Sequence, residues 1–309
     1  MFVLSEQHLL ALWRLNQFVV PTDRWVFFGL RGCLPVDDGD LSFARSRTLR
    51  VEAVDYTHPR CTLGQWQPGH GFAVFPGSTV PHRKDVEKSR PRGGTGTNQL
   101  LTGCYADYRK GVHKEGTPTA HDAFRQNNEL PVQRTGDDLD FDTDDRVEFG
   151  RPFDNLHAAW SQGISHPDYA SAGCQVVVGF PKCARRGDLP ATGAWKVFQE
   201  NAYALSQESF SYVLLTGFEA ERIVHATTTP TPRLRYGSKG ALVTRVQSVL
   251  EQRGHYQGVL DGDFGIGTLR AVLAFQTEHF GPRGDDGIVG KQTAAALGIE
   301  WPDSVAGAA

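Results

Sequence analysis

The sequence predicts an α+β multidomain chain, with a mostly antiparallel β domain first, an extended linker, and a small all-α domain of three helices last. Three observations carry this. Through residue 220 the apolar residues fall in short β-branched and aromatic runs whose connections are too irregular for βαβ repeats. Residues 226–232, Ala-Thr-Thr-Thr-Pro-Thr-Pro, read as an extended linker poorly able to form a packed element. Beyond them the apolar spacing becomes helical.

Composition excludes several classes of function. Of the 309 residues, 39% are hydrophobic, with 18 Phe and 6 Trp, so two cores can be buried. The 32 basic and 35 acidic residues are intermixed and net to −3, which speaks against nucleic acid and anionic membrane as partners. No apolar run is long enough for a membrane span. Cys33, Cys61, Cys104, Cys174 and Cys183 are odd in number and lack a Cys-x-x-Cys pair, which disfavours a disulfide framework or a zinc knuckle. At least one thiol must be free, and Cys174 is the expected one; no metal or cofactor is expected. The first eight residues lack the basic region of a secretory signal, so an extracytoplasmic substrate would require delivery by another route.

In chain order, Ser5 to Phe18 reads as an amphipathic helix carrying Leu9, Leu12, Trp13 and Leu15, capped by Ser5 and packed on the first domain. Trp25–Gly32, Val51–Tyr56 and Phe72–Phe75 read as strands, and His82–Asn98 as a long exposed loop. The aspartates at 137, 138, 140, 142, 144 and 145 invite a calcium reading. Thr143 and Phe149 stand where an EF-hand loop needs glycine and glutamate, so a strand with an acidic face is expected instead. Val176–Phe180 and Phe210–Thr216 are further strands, and Trp195–Tyr203 is a helix. After the linker come helices at Ala241–Arg253, stopped by Gly254, at Gly267–Glu278 and at Lys291–Leu297. Two copies of one pattern precede the last two helices, Asp261-Gly262-Asp263-Phe264-Gly265 with Thr268, and Asp286-Gly287-Ile288-Val289-Gly290 with Thr293. Each threonine is placed to cap its helix.

One stretch carries chemistry. His157 and Cys174 are seventeen positions apart, and Ser171-Ala172-Gly173-Cys174 enters the β-branched run Val176–Val178. A Gly-Cys step at a strand mouth lets another backbone approach a thiol, and a nearby imidazolium can lower the thiol pKa by several units.

Residues Leu234–Gly298, through Gly237, Gln247, Asp261, Gly262, Phe264, Gly265, Thr268, Gln276 and the second Asp-Gly copy, resemble the three-helix peptidoglycan-binding domain of cell-wall hydrolases. His157 with Ser171-x-Gly173-Cys174 resembles the L,D-transpeptidase active-site signature. The resemblance implies an L,D-transpeptidase-like catalytic domain over 1–225, a linker over 226–233 and a wall-binding domain over 234–300. It implies Cys174 as nucleophile, His157 as its base, and an oxyanion hole of backbone N–H groups around Gly173 and Cys174, supported by Ser171. Asp154 is placed to orient the imidazole. Ala172 stands where that family has a second histidine, and Val176 where it has a polar residue; His166, Arg185 and Arg186 are the candidates to compensate.

The expected function is thus a peptidoglycan-modifying cysteine enzyme that acts on stem tetrapeptides through a thioacyl intermediate. Its outcome is transpeptidation, D-amino-acid exchange or L,D-carboxypeptidase cleavage. A delivered antibacterial effector or phage lysis enzyme acting in the periplasm or cell wall is the expected setting, with an immunity protein or a secretion-machinery component as further partners. The alternatives are a non-catalytic wall-binding adaptor and a cysteine endopeptidase cutting within stems, the latter disfavoured because papain-like enzymes place Cys before His.

Overall fold

The computed structural model describes residues 1–89, 96–135, 139, 145–228, 230–281 and 283–304. The chain divides into two compact units, of which the first comprises Met1–Glu6, Pro21–Leu101 and Tyr105–Glu221. Its elements begin with β1 (Phe2–Ser5), the start of α1 (Glu6–Leu15), β2 (Val26–Arg31), β3 (Cys33–Pro35), β4 (Ser46–Val51), β5 (Cys61–Gln67) and β6 (Gly71–Ser78). There follow α2 (Arg83–Ser89), β7 (Thr97–Leu100), β8 (Gly103–His113), β9 (His121–Arg125), β10 (Leu130–Thr135) and β11 (Val147–Gly150). The last are β12 (Leu156–Ala158), β13 (Gln175–Val177), α3 (Gly193–Tyr203), β14 (Ser209–Thr216) and the start of α4 (Gly217–Val224).

Eight strands close into a barrel in the order β12, β13, β6, β5, β2, β14, β8, β9, while β1, β4, β3 and β11, β10, β7 form two small sheets. Within the barrel β2·β5, β5·β6, β6·β13, β8·β9 and β9·β12 pair antiparallel, whereas β2·β14 and β12·β13 pair parallel. Every residue of β2 is buried, as expected of a strand covered on both faces. The core is aromatic: Phe27 stacks on Phe210 at 4.2 Å and meets Phe124 edge-on at 4.8 Å, and Phe198 from α3 meets Phe75 at 5.0 Å.

Local expectations shift in two places. The strand expected at Val51–Tyr56 is instead Ser46–Val51, whose single buried residue, Leu49, gave little alternation to read. The expected loop His82–Asn98 contains α2 and the start of β7; α2 buries Val86 but no repeating apolar face, and carries an Arg83–Glu87 ion pair at 2.7 Å. Residues 90–95 lie outside the described residues, as do the aspartates at 137, 138, 140, 142 and 144. All five cysteines are free.

The second unit comprises Gln7–Val20, Thr102–Cys104 and Arg222–Ala309. The amino-terminal helix, expected to pack on the first domain, belongs here: Arg233 N–H donates to Leu15 O and Lys239 N–H to Gln17 O, both at 2.9 Å. An amphipathic stripe says that a helix packs, not against what. The three carboxyl-terminal helices are α5 (Ala241–Gln252), α6 (Ile266–Phe280) and α7 (Lys291–Leu297).

Both Asp-Gly loops are clamped by a buried glutamine. Gln247 Oε1 accepts the Gly262 N–H at 2.9 Å while its Nε2 reaches Asp261 Oδ1, Asp263 O and Thr268 Oγ1 at 2.9–3.0 Å. Gln276 does the same to Gly287, Asp286, Ile288 and Thr293. The threonines therefore do not cap: Gly265 and Gly290 are the N-cap residues, and the hydroxyls of Thr268 and Thr293 donate back into the loops. Phe264 is fully buried. The motif is thus the internal scaffold of the loops. Gln247→Ala is expected to leave the Gly262 N–H buried and unpaired, at about 2 kcal/mol, so that this amide exchanges with solvent roughly thirtyfold faster. Measured by hydrogen exchange, the Gly287 amide serves as the unaffected control.

Candidate active site

In the parallel pair β12·β13, Leu156 faces Gln175 and His157 faces Val176. Side chains alternate faces along a strand, so Cys174, two residues before Val176, shares a face with His157. Sγ of Cys174, one ring nitrogen of His157 and one of His113 lie within 4.8 Å of one another. The rings of His113 and His157 are stacked at 4.1 Å with 16° between planes.

Hydrogen bonds fix the two tautomers oppositely. His157 Nδ1 sits 2.8 Å from the Ala158 carbonyl oxygen. That oxygen can accept but not donate, so Nδ1 carries the proton and Nε2 keeps its lone pair. Asn155 Oδ1 accepts the Gln126 N–H at 2.9 Å, which orients the amide and leaves Nδ2 to donate to His113 Nδ1 at 3.0 Å. The proton of neutral His113 is therefore on Nε2. A third ring, His121, lies 5.4 Å from His113 and 5.3 Å from His157; its Nδ1 donates to Thr119 O, and its buried Nε2 has no hydrogen-bond partner among the described residues.

The electrostatics favour neutral groups. Burial pushes the Cys174 thiol up to about 12, and the neighbouring Asp154 carboxyl adds to the rise. Burial, reinforced by His113 and His121, holds the His157 imidazole well below its ordinary value. Burial likewise brings His113 down to about 3, with His121 contributing, and lowers His121. The resting pair is a neutral thiol and a neutral imidazole, in place of the thiolate–imidazolium pair expected from sequence.

The supporting residues are arranged differently from expectation. The Gly173 N–H donates to Ser171 Oγ at 3.1 Å, and that hydroxyl donates to Cys174 O at 2.7 Å. Ser171 thus staples the loop and occupies an N–H expected in the oxyanion hole. Gly173 has φ +141°, and a Cβ there would stand 2.5 Å from Asn98 Cβ and 2.6 Å from Asp154 Oδ1, so no other residue fits. Asp154 Oδ1 accepts from Asn98 at 3.1 Å rather than holding His157, and Asn98 in turn accepts from Arg134. Burial raises the Asp154 carboxyl to about 7. Val176 is buried with Ala159 and Tyr169, so its apolar character fills a core. His166 Nδ1 donates to Asp168 O and Arg186 to Pro190 O, Arg185 is exposed, and Ala172 is exposed.

Sequence reasoning missed His113, His121 and Asn155. The available signal was two histidines flanking a turn-rich segment with Gly116 and Pro118, which places them face to face across the β8–β9 hairpin. A thiol and two imidazoles at this spacing form a donor set that zinc accepts with a fourth position open. Ligation through His113 Nε2 would require the proton on Nδ1, where Asn155 already donates, so the surrounding hydrogen bonds oppose that use.

Residues 239–297 match the family model described as a peptidoglycan binding domain. The spore cortex-lytic enzyme of Bacillus subtilis (strain 168) is 35% identical over 88 residues, a segment amounting to 28% of this chain and 28% of that protein. No solved structure matches. The chain carries a peptidoglycan-binding domain in its carboxyl-terminal helical region, in addition to a mixed α+β unit built on a closed barrel. No helix among the described residues is long and apolar enough to cross a membrane.

Proposed function

We propose that the protein is a peptidoglycan-modifying cysteine enzyme that acts on stem tetrapeptides through a thioacyl intermediate on Cys174. The observation that carries the reading is the placement of the Cys174 sulfur and a His157 nitrogen within 4.8 Å, on one face of a parallel strand pair, with the His157 tautomer that leaves the Nε2 lone pair free. The wall-binding domain supports peptidoglycan as substrate, and the name of the cortex-lytic relative agrees with wall chemistry. Because both groups rest neutral, Nε2 takes the thiol proton as sulfur adds to the carbonyl carbon of the penultimate residue. Nε2 then returns that proton to the leaving amine, freeing the terminal D-amino acid. An amine acceptor gives transpeptidation or exchange; water gives L,D-carboxypeptidase cleavage.

Incubation with a disaccharide tetrapeptide, followed by intact-protein and product mass spectrometry, tests this. The expected result is a thioester on Cys174 and loss of the terminal residue from the stem. An unmodified protein and unchanged tetrapeptide would overturn it. The peptidoglycan-binding domain also fits a second reading, a wall-binding adaptor without activity, which sacculus binding with no change in the muropeptides would support.

A further inference from the structure

We propose that His113 is a further catalytic residue, whose neutral imidazole donates its Nε2–H to the oxygen that becomes negative when Cys174 adds to the scissile carbonyl. The inference rests on the acyl-transfer reading above. Three observations lead to it. First, the Gly173 N–H, which sequence reasoning assigned to the oxyanion, is engaged by Ser171 Oγ. Of the two N–H groups expected there, this leaves that of Cys174, and a second donor would complete the pair. Second, His113 lies within 4.8 Å of both the Cys174 sulfur and the His157 ring, and unlike the buried His157 it is partly open to solvent, as is Cys174. A substrate that reaches the sulfur reaches His113 as well. Third, the chain Gln126 N–H to Asn155 Oδ1, and Asn155 Nδ2 to His113 Nδ1, leaves the ring with Nε2–H as its remaining polar group. That orientation is set by backbone before any substrate arrives, which is the condition for a preorganised donor.

The opposite tautomers divide the work. His157 Nε2 has a lone pair and accepts the thiol proton; His113 Nε2 has a proton and holds it throughout. As the S–C bond forms, the carbonyl π pair moves onto oxygen, and the His113 N–H hydrogen-bonds to that oxyanion. As the tetrahedral species collapses, the pair returns, the C–N bond breaks, and the proton held on His157 passes to the leaving nitrogen. No co-reactant is required. The 4.1 Å stack also keeps a neutral ring against His157 while it is transiently an imidazolium.

His113→Phe keeps a flat ring for stacking and removes the donor. Two rates are compared in the full chain: thioester formation from a disaccharide tetrapeptide, which develops an oxyanion, and alkylation of Cys174 by iodoacetamide at its saturated carbon, which does not. Acylation is expected to fall about 10²- to 10³-fold in His113→Phe, while alkylation stays within about threefold of the parent. Acylation within threefold of the parent would reduce His113 to a stacking partner. Alkylation falling in parallel with acylation would show that His113 acts on the thiol or on His157, and would equally overturn the proposal. A parent chain that alkylates but forms no thioester with any stem tetrapeptide would instead overturn the acyl-transfer reading on which this one stands.

Discussion

Replacing His157 with alanine is expected to slow thioester formation on Cys174 by about 10³- to 10⁴-fold near neutral pH. The size follows from the state of the thiol. With its pKa pushed up to about 12 by burial, Cys174 is held as the thiol at pH 7, so the parent chain cannot rely on preformed thiolate. It must move the proton during attack; a His157 ring nitrogen lies within 4.8 Å of the sulfur, and Nε2 carries that ring's lone pair. Without that base the variant reacts through its thiolate fraction, which grows tenfold with each pH unit. Its rate is therefore expected to climb about tenfold per unit between pH 7 and 10, while the parent, whose His157 is held far below its ordinary pKa and is already neutral, changes much less. Single-turnover acylation across that range decides the matter. Parallel profiles for parent and variant would mean that His157 is not the base.

The parts of this molecule legible in its sequence were those encoded locally. The bounds of α7 agree with the apolar spacing and glycine punctuation around Lys291–Leu297, and α5 ends at the residue before Arg253, with Gly254 at φ +79° just beyond. The pairing of His157 with Cys174 was legible because β12 and β13 are neighbours joined by one loop, and a spacing along the chain maps onto a register. What was not legible depends on which strands meet. His113 reaches Cys174 because β9 pairs with β12 and β8 with β9 in the closed barrel, an order that no periodicity announces. The same holds for charge state: the sequence suggested an ion pair because it cannot report that three imidazoles and a thiol cluster at one partly buried place. In the wall-binding domain, the repeated Asp-Gly-Thr pattern read as capping, whereas Gln247 and Gln276 turn it inward. The repeat was visible, and its partner was one helix away.

Asp154→Asn is expected to stabilise the barrel unit, by an amount that depends on pH. Asp154 is 2% exposed, accepts one hydrogen bond from Asn98, and its Oδ2 has no partner among the described residues. Burial raises its pKa from 3.8 to about 7. Below pH 4 both folded and unfolded chains hold the proton, and ionisation contributes no difference. Between 4 and 7 the unfolded chain gives up the proton while the folded one keeps it, so stability falls as pH rises and levels off above 7. Over that interval, at 1.36 kcal/mol per pH unit, the loss amounts to about 4 kcal/mol. Asparagine keeps the shape and an acceptor for Asn98 but cannot ionise. Its advantage over the parent should therefore be absent below pH 4 and approach 4 kcal/mol at pH 8. Cys33 and Cys61, both fully buried within this unit, report its unfolding through thiol labelling in urea. If the advantage of Asp154→Asn were the same at pH 4 and pH 8, the carboxyl would be ionised in the fold at low pH, and its proximity would then raise the Cys174 thiol throughout the working range rather than only above pH 7.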